Sequence, residues 1–106
     1  WNVLGKDGDE GFAWAIDEAM AVIEAYKPGV ILLATGADGH EGSDSLGGSN
    51  RYTYAGYDYT ARRVAEAAAS MSEGRVLLGG AGGYQPLTHT PRIWANVVKT
   101  IYSGGK

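Results

Sequence analysis

This 106-residue chain contains no cysteine. That excludes a disulfide framework and any thiolate metal site. No apolar run approaches the roughly 20 residues of a membrane span, and no signal-peptide pattern is visible. The expectation is a chain that lives in the cytoplasm, away from membranes. A basic stripe is missing too: 9 basic residues stand against 12 acidic ones, for a net charge of −3. A nucleic-acid footprint needs the opposite balance. No internal repeat and no linker divides the sequence, and its length suits one domain rather than two.

Glycine, in contrast, is abundant. Its 17 residues are about twice the usual share of roughly 7%. The hydrophobic fraction of 44% is that of an ordinary globular protein. The first residue is Trp1, not Met, and an apolar segment begins almost at once. From this start the chain is expected to be the middle of something longer.

Residues 30–40, Val-Ile-Leu-Leu-Ala-Thr-Gly-Ala-Asp-Gly-His, are the centre of the sequence. The uncharged run is too short for an ordinary helix and rich in β-branched and aliphatic residues. It reads as a strand at 30–35 buried on both faces, as in parallel sheets. Asp38 follows the strand's end, where open α/β sheets place their ligands. Around this strand the pattern alternates. Residues 1–4 suit a short edge strand. Asp9 suits the N-cap of a helix over 11–26, with an apolar face of Phe12, Ile16, Met20 and Ile23 that ends at Lys27-Pro28-Gly29. A long loop, residues 36–52, leads to Thr53, the expected N-cap of a helix over 54–72 that Gly74 stops. Residues 75–78 form a second strand, which breaks into Gly-Gly-Ala-Gly-Gly-Tyr at 79–84. A last helix starts near Thr90 with Pro91 at its first position.

Helix, strand, helix, strand, helix implies an α/β fold with a parallel pair. The expected architecture is three-layered, and 1–106 is expected to be a single partial domain. Two parallel strands are too few for a stable sheet with covered edges. Either a second copy or a missing N-terminal half must supply neighbours. Both post-strand loops emerge at the same sheet edge, so Asp38 and Tyr84 are expected to meet over one cleft. An acid, a phenol and glycine backbone suit metal-assisted or oxyanion-stabilising chemistry. Taken alone, Asp38 also fits a turn or cap residue, Tyr84 a packed loop aromatic, His40 a structural residue and His89 a solvated loop residue. The acids of residues 38–44 lack EF-hand spacing, and residues 79–84 match neither Gly-x-Gly-x-x-Gly nor a phosphate loop. Tyrosines at 52, 54, 57 and 59 suit packing and channel lining better than RNA stacking on so acidic a chain.

Several segments resemble zinc-dependent histone deacetylases. Gly36-Ala37-Asp38-Gly39-His40, followed by Asp44-Ser45-Leu46-Gly47-Gly48, is similar to that family's Gly-Phe/Ala-Asp-x-His…Asp-Pro-Leu-Gly segment. Thr53-Tyr54-Ala55-Gly56-Tyr57 resembles its Thr-x-x-Gly-Tyr, and Gly82-Gly83-Tyr84 its Gly-Gly-Tyr. Pro91-Arg92-Ile93-Trp94 resembles the bacterial branch of acetoin-utilisation proteins and acetylpolyamine amidohydrolases. Asn2-Val3-x-x-Gly before Asp9 is similar to an upstream segment of the family. The resemblance implies the C-terminal part of a zinc amidohydrolase acting on acetyl-lysine or an acetylated small molecule. It implies that Asp38 is one of three protein ligands to zinc and that Tyr84 donates a hydrogen bond to the substrate carbonyl. Gly82 and Gly83 would shape the acyl channel, and His40 and Asp44 would have supporting roles.

The family's Asp-x-His pair and His-His pair have no counterpart in the chain, which has only His40 and His89. A catalytic zinc site needs three protein ligands and an open position. The expectation is that this chain alone binds no zinc and is inactive. The alternatives are a self-associating α/β module without catalysis, or a small-molecule binder at the glycine-lined cleft.

Overall fold

A computed structural model describes residues 7–43 and 49–106. The expected edge strand at residues 1–4 and the supporting residue Asp44 lie outside the described residues. The elements run α1 (Gly8–Tyr26), β1 (Ile31–Thr35), α2 (Tyr54–Met71), β2 (Val76–Gly80) and α3 (His89–Tyr102). The two strands pair in parallel, with Ile31 opposite Val76 and Thr35 opposite Gly80. The α/β order and the parallel sheet are those the sequence implied. No described helix is long and apolar enough to cross a membrane.

Helix α1 begins three residues before the sequence pattern suggested. Its N-cap position is Asp7, and Asp9 is not the cap. The Asp9 carboxylate reaches instead to the start of α2, accepting from the Thr53 N–H at 2.8 Å and from the Thr53 hydroxyl. At its other end Lys27 takes a left-handed conformation (φ 56°), and its N–H returns to the Ile23 carbonyl at 2.8 Å. Pro28 then prevents continuation.

Thr53 caps α2 as expected, its side chain accepting from the Ala55 N–H at 3.2 Å. The helix stops where Gly74 adopts φ +77° and sends its N–H back to Ala68 at 2.9 Å. A positive φ with no Cβ penalty is what glycine contributes there. Helix α3 starts one residue before Thr90, which puts Pro91 third rather than first. It is tolerated because first-turn N–H groups have no intrahelical partner.

The three helices lie on one face of the sheet. Met20, Ile31, Val64, Ala67 and Ala68 form one buried cluster. Ala37, Tyr57, Ala61, Ile93 and Val97 form a second, nearer the carboxyl ends of the strands. Inward-pointing Leu33 joins both. The strands, expected to be buried on both faces, are covered on this one only. Leu32 is 70% exposed and Leu77, its neighbour in register, 64%. Among the described residues there are two layers, and the outer face of the sheet is apolar and exposed.

Candidate active site

The loops that follow β1 and β2 are clamped together. The Ala37 N–H donates to the Gly82 carbonyl at 2.6 Å, and Ala37 is buried. One residue on, the Asp38 carboxylate lies directly against glycine backbone. A Cβ on Gly82 would fall 2.5–2.8 Å from its three carboxyl atoms, and one on Gly36 would fall 2.7 Å from Oδ1. These two glycines are the seat of the acid, and any side chain would displace it. The Asp38 backbone carbonyl in turn accepts from the Asn50 amide at 3.1 Å, which ties in the far end of the long loop.

Tyr84 stands two residues beyond Gly82 at the same sheet edge, with its side chain 70% exposed. The loops therefore converge at the carboxyl end of the strands. A cleft of about 370 Å³ opens beside β1, lined by Leu33, Thr35, Asp38, Tyr52 and Tyr57 among others, and residues 82–84 do not line it. Gly83 faces away from Asp38, where a Cβ would meet Thr90 at 2.7 Å and the Trp94 ring at 3.0 Å. Its smallness lets α3 approach. Trp94 uses that approach to donate its indole N–H to the Thr35 carbonyl at 2.9 Å, fixing α3 to the end of β1.

The cleft wall is aromatic. Phe12 stacks on Tyr52 at 4.3 Å between centroids, and Tyr57 meets Phe12 edge-on at 5.4 Å. Burial pushes the Tyr57 phenol well above its ordinary range, so it stays protonated.

His40, two residues past Asp38, is 3% exposed. Its Nδ1 accepts from the Gly42 N–H at 2.9 Å, while Nε2 is buried with no partner among the described residues. Burial, and then the neighbouring His89, lower its tendency to take up a proton. His89 is not a solvated loop residue. It is the half-buried first residue of α3, stacked on His40 at 4.4 Å between centroids and 23° between planes. Its Nδ1 lies 2.9 Å from the Tyr54 hydroxyl, and the Arg92 guanidinium sits 3.9 Å above the Tyr54 ring. Sequence reasoning missed this cluster. Its members are far apart in the chain, and no periodicity links them.

The residues present do not make a metal centre by themselves. Among the described residues no group of three histidine, cysteine or carboxylate side chains could hold an ion. Asp38 offers one oxygen-donor side chain, and a catalytic zinc needs three protein ligands.

No curated protein matches the chain. The family model described as Histone deacetylase domain matches residues 2–101. The chain therefore belongs to the histone deacetylase domain family.

Proposed function

We propose that this chain provides one carboxylate and one phenol to an amide-hydrolysing site whose remaining ligands come from residues outside it. Deacetylases of this family are generally zinc-dependent. In this reading Asp38 is one metal ligand, and the metal cannot be held until other side chains join it. The substrate class is an acetylated amine, of the acetyl-lysine or acetylpolyamine type. Hydrolysis breaks its C–N bond and returns acetate and the free amine.

The seating of Asp38 supports this reading most. A carboxylate held against two glycine backbones, at the carboxyl end of a parallel pair, has its position set before any ligand arrives. Tyr84, exposed at the same edge, is free to donate its phenolic hydrogen to a carbonyl oxygen and to the oxyanion that develops from it. One such donor is worth about 3 kcal/mol in the transition state. Gly82 leaves room for the Asp38 carboxylate, and Gly83 lets α3 close on the loop that carries Tyr84.

The test is reconstitution. The chain is mixed with zinc and a second family polypeptide that carries the Asp-x-His and His-His pairs. Deacetylation of an acetyl-lysine peptide is expected in the mixture. Tyr84→Phe should lower kcat about 100-fold, in keeping with one lost oxyanion donor, and Asp38→Asn should abolish turnover. Full activity in both variants would refute the assignment.

The bare sheet face favours a second reading, self-association without catalysis. Leu32 and Leu77 form an exposed apolar ladder, and burying each is worth about 1.5–3 kcal/mol. Sedimentation that shows a concentration-dependent dimer, lost in Leu32→Lys, would support it. A monomer at every concentration would exclude it.

A further inference from the structure

We infer that His89 is a positioning residue: stacked on His40 and bonded to Tyr54, it holds the Asp38 loop against the start of α3 and so sets where Asp38 stands relative to Tyr84. The inference rests on the reading that those two residues share a site.

Three segments meet at His89. The first is the loop after β1. His40 lies two residues beyond Asp38, its ring oriented by the Gly42 N–H and its flat face on the His89 ring. The second is α2, whose first residue, Tyr54, places its hydroxyl 2.9 Å from His89 Nδ1 and its ring 4.5 Å from that of His40. The third is α3, which His89 begins, and from which Arg92 covers the other part of Tyr54. The fit is close. A Cβ on Gly42 would come within 2.1 Å of His89 Nε2, so the loop passes over the imidazole only because residue 42 has no side chain.

The same helix start also anchors Tyr84. Gln85, the next residue, is tied to Thr90 in both directions: its carbonyl accepts from the Thr90 N–H at 3.2 Å, and its N–H donates to the Thr90 hydroxyl at 3.4 Å. The beginning of α3 is thus a common support, with Tyr84 fixed to it through Thr90 and Asp38 through His89 and His40. The Ala37 N–H to Gly82 carbonyl bond closes the circuit between the two loops. The stack keeps the two rings in face-to-face contact, and the hydrogen bonds from Gly42 to His40 and between His89 and Tyr54 fix how each ring is turned.

The Ala37 amide reports directly on that circuit, so the test is its hydrogen exchange in the full chain. In His89→Ala we expect Ala37 to exchange at least tenfold faster. The Ser72 amide, bonded to Ala68 at the far end of α2, should stay within twofold of the parent. His89→Phe keeps the ring and should restore most of the protection. Unchanged exchange at Ala37 would overturn the inference, as would equal acceleration at Ala37 and Ser72, since that is general loosening. Should His89→Ala fail to fold, His89→Asn is judged by the same two amides. The measurement needs no metal, substrate or turnover. A silent reconstitution assay would count against the catalytic reading and leave this result standing, while an unmoved Ala37 would do the reverse.

Discussion

Asp38 and Gly82 show how far single residues could be read from the sequence. An acid two or three residues past a buried strand, and glycines past its partner, were enough to put the two loops at one edge. The sequence could not say which glycine touches the carboxylate, because that depends on the Ala37 to Gly82 hydrogen bond and not on spacing. With the contact known, Gly82→Ala is expected to push the carboxylate off its seat. Overpacking of this kind costs about 1–3 kcal/mol, readable as a lower urea midpoint. Gly79→Ala meets nothing within 4 Å and should leave the midpoint where it was on that account. Equal midpoints for both variants would show that the Asp38 seat is not tight. The His40 and His89 stack was out of reach for a plainer reason. The two rings are 49 positions apart, and neither lies on a periodic apolar face.

Elements were more legible than contacts. All three helices and both strands follow from apolar spacing and from Thr53, Gly74 and Lys27-Pro28. The start of α1 did not, because Asp9 bonds Thr53 across the α1–α2 seam where local chemistry offered it a cap. Asp9→Ala leaves the Thr53 N–H without its acceptor. Hydrogen bonds to a charged group are worth about 1.5–3 kcal/mol, so denaturant unfolding should show a loss of that order. A change under about 0.5 kcal/mol, the range of a surface substitution, would mean the tie does not matter. Further along the seam, Asp17 accepts from the Tyr59 hydroxyl at 2.6 Å and from Arg63 at 3.0 Å. Tyr59 first and Arg63 second hold its carboxyl below the ordinary value of 3.8. A carboxyl depressed on folding contributes stability above its unfolded pKa and loses it as pH falls through its folded pKa. The parent should therefore lose stability below pH 3.8 more steeply than Asp17→Asn. Parallel pH profiles for the two proteins would contradict this.

For the molecule as a whole, the disagreement with sequence reading lies in the sheet. A near-continuous apolar strand reads as covered on both sides, yet Leu32 and Leu77 face solvent here. The composition of β1 and β2 suits a larger sheet than two strands can make, and under the proposed function Asp38 needs further ligands to hold a metal. Both shortfalls occur along the same two strands, and one additional layer or neighbouring chain would meet both. Association and catalytic completion are expected to go together. A polypeptide that restores activity should also give the exposed Leu32 and Leu77 methyl groups protection from a soluble paramagnetic probe. Activity restored without that protection would separate the two shortfalls.

The most direct test of an unfinished site is the simplest assay: the purified 106-residue chain, saturating zinc, and an acetyl-lysine peptide. The account predicts no deacetylation above the buffer rate. Turnover by the chain alone, abolished by Tyr84→Phe, would contradict it.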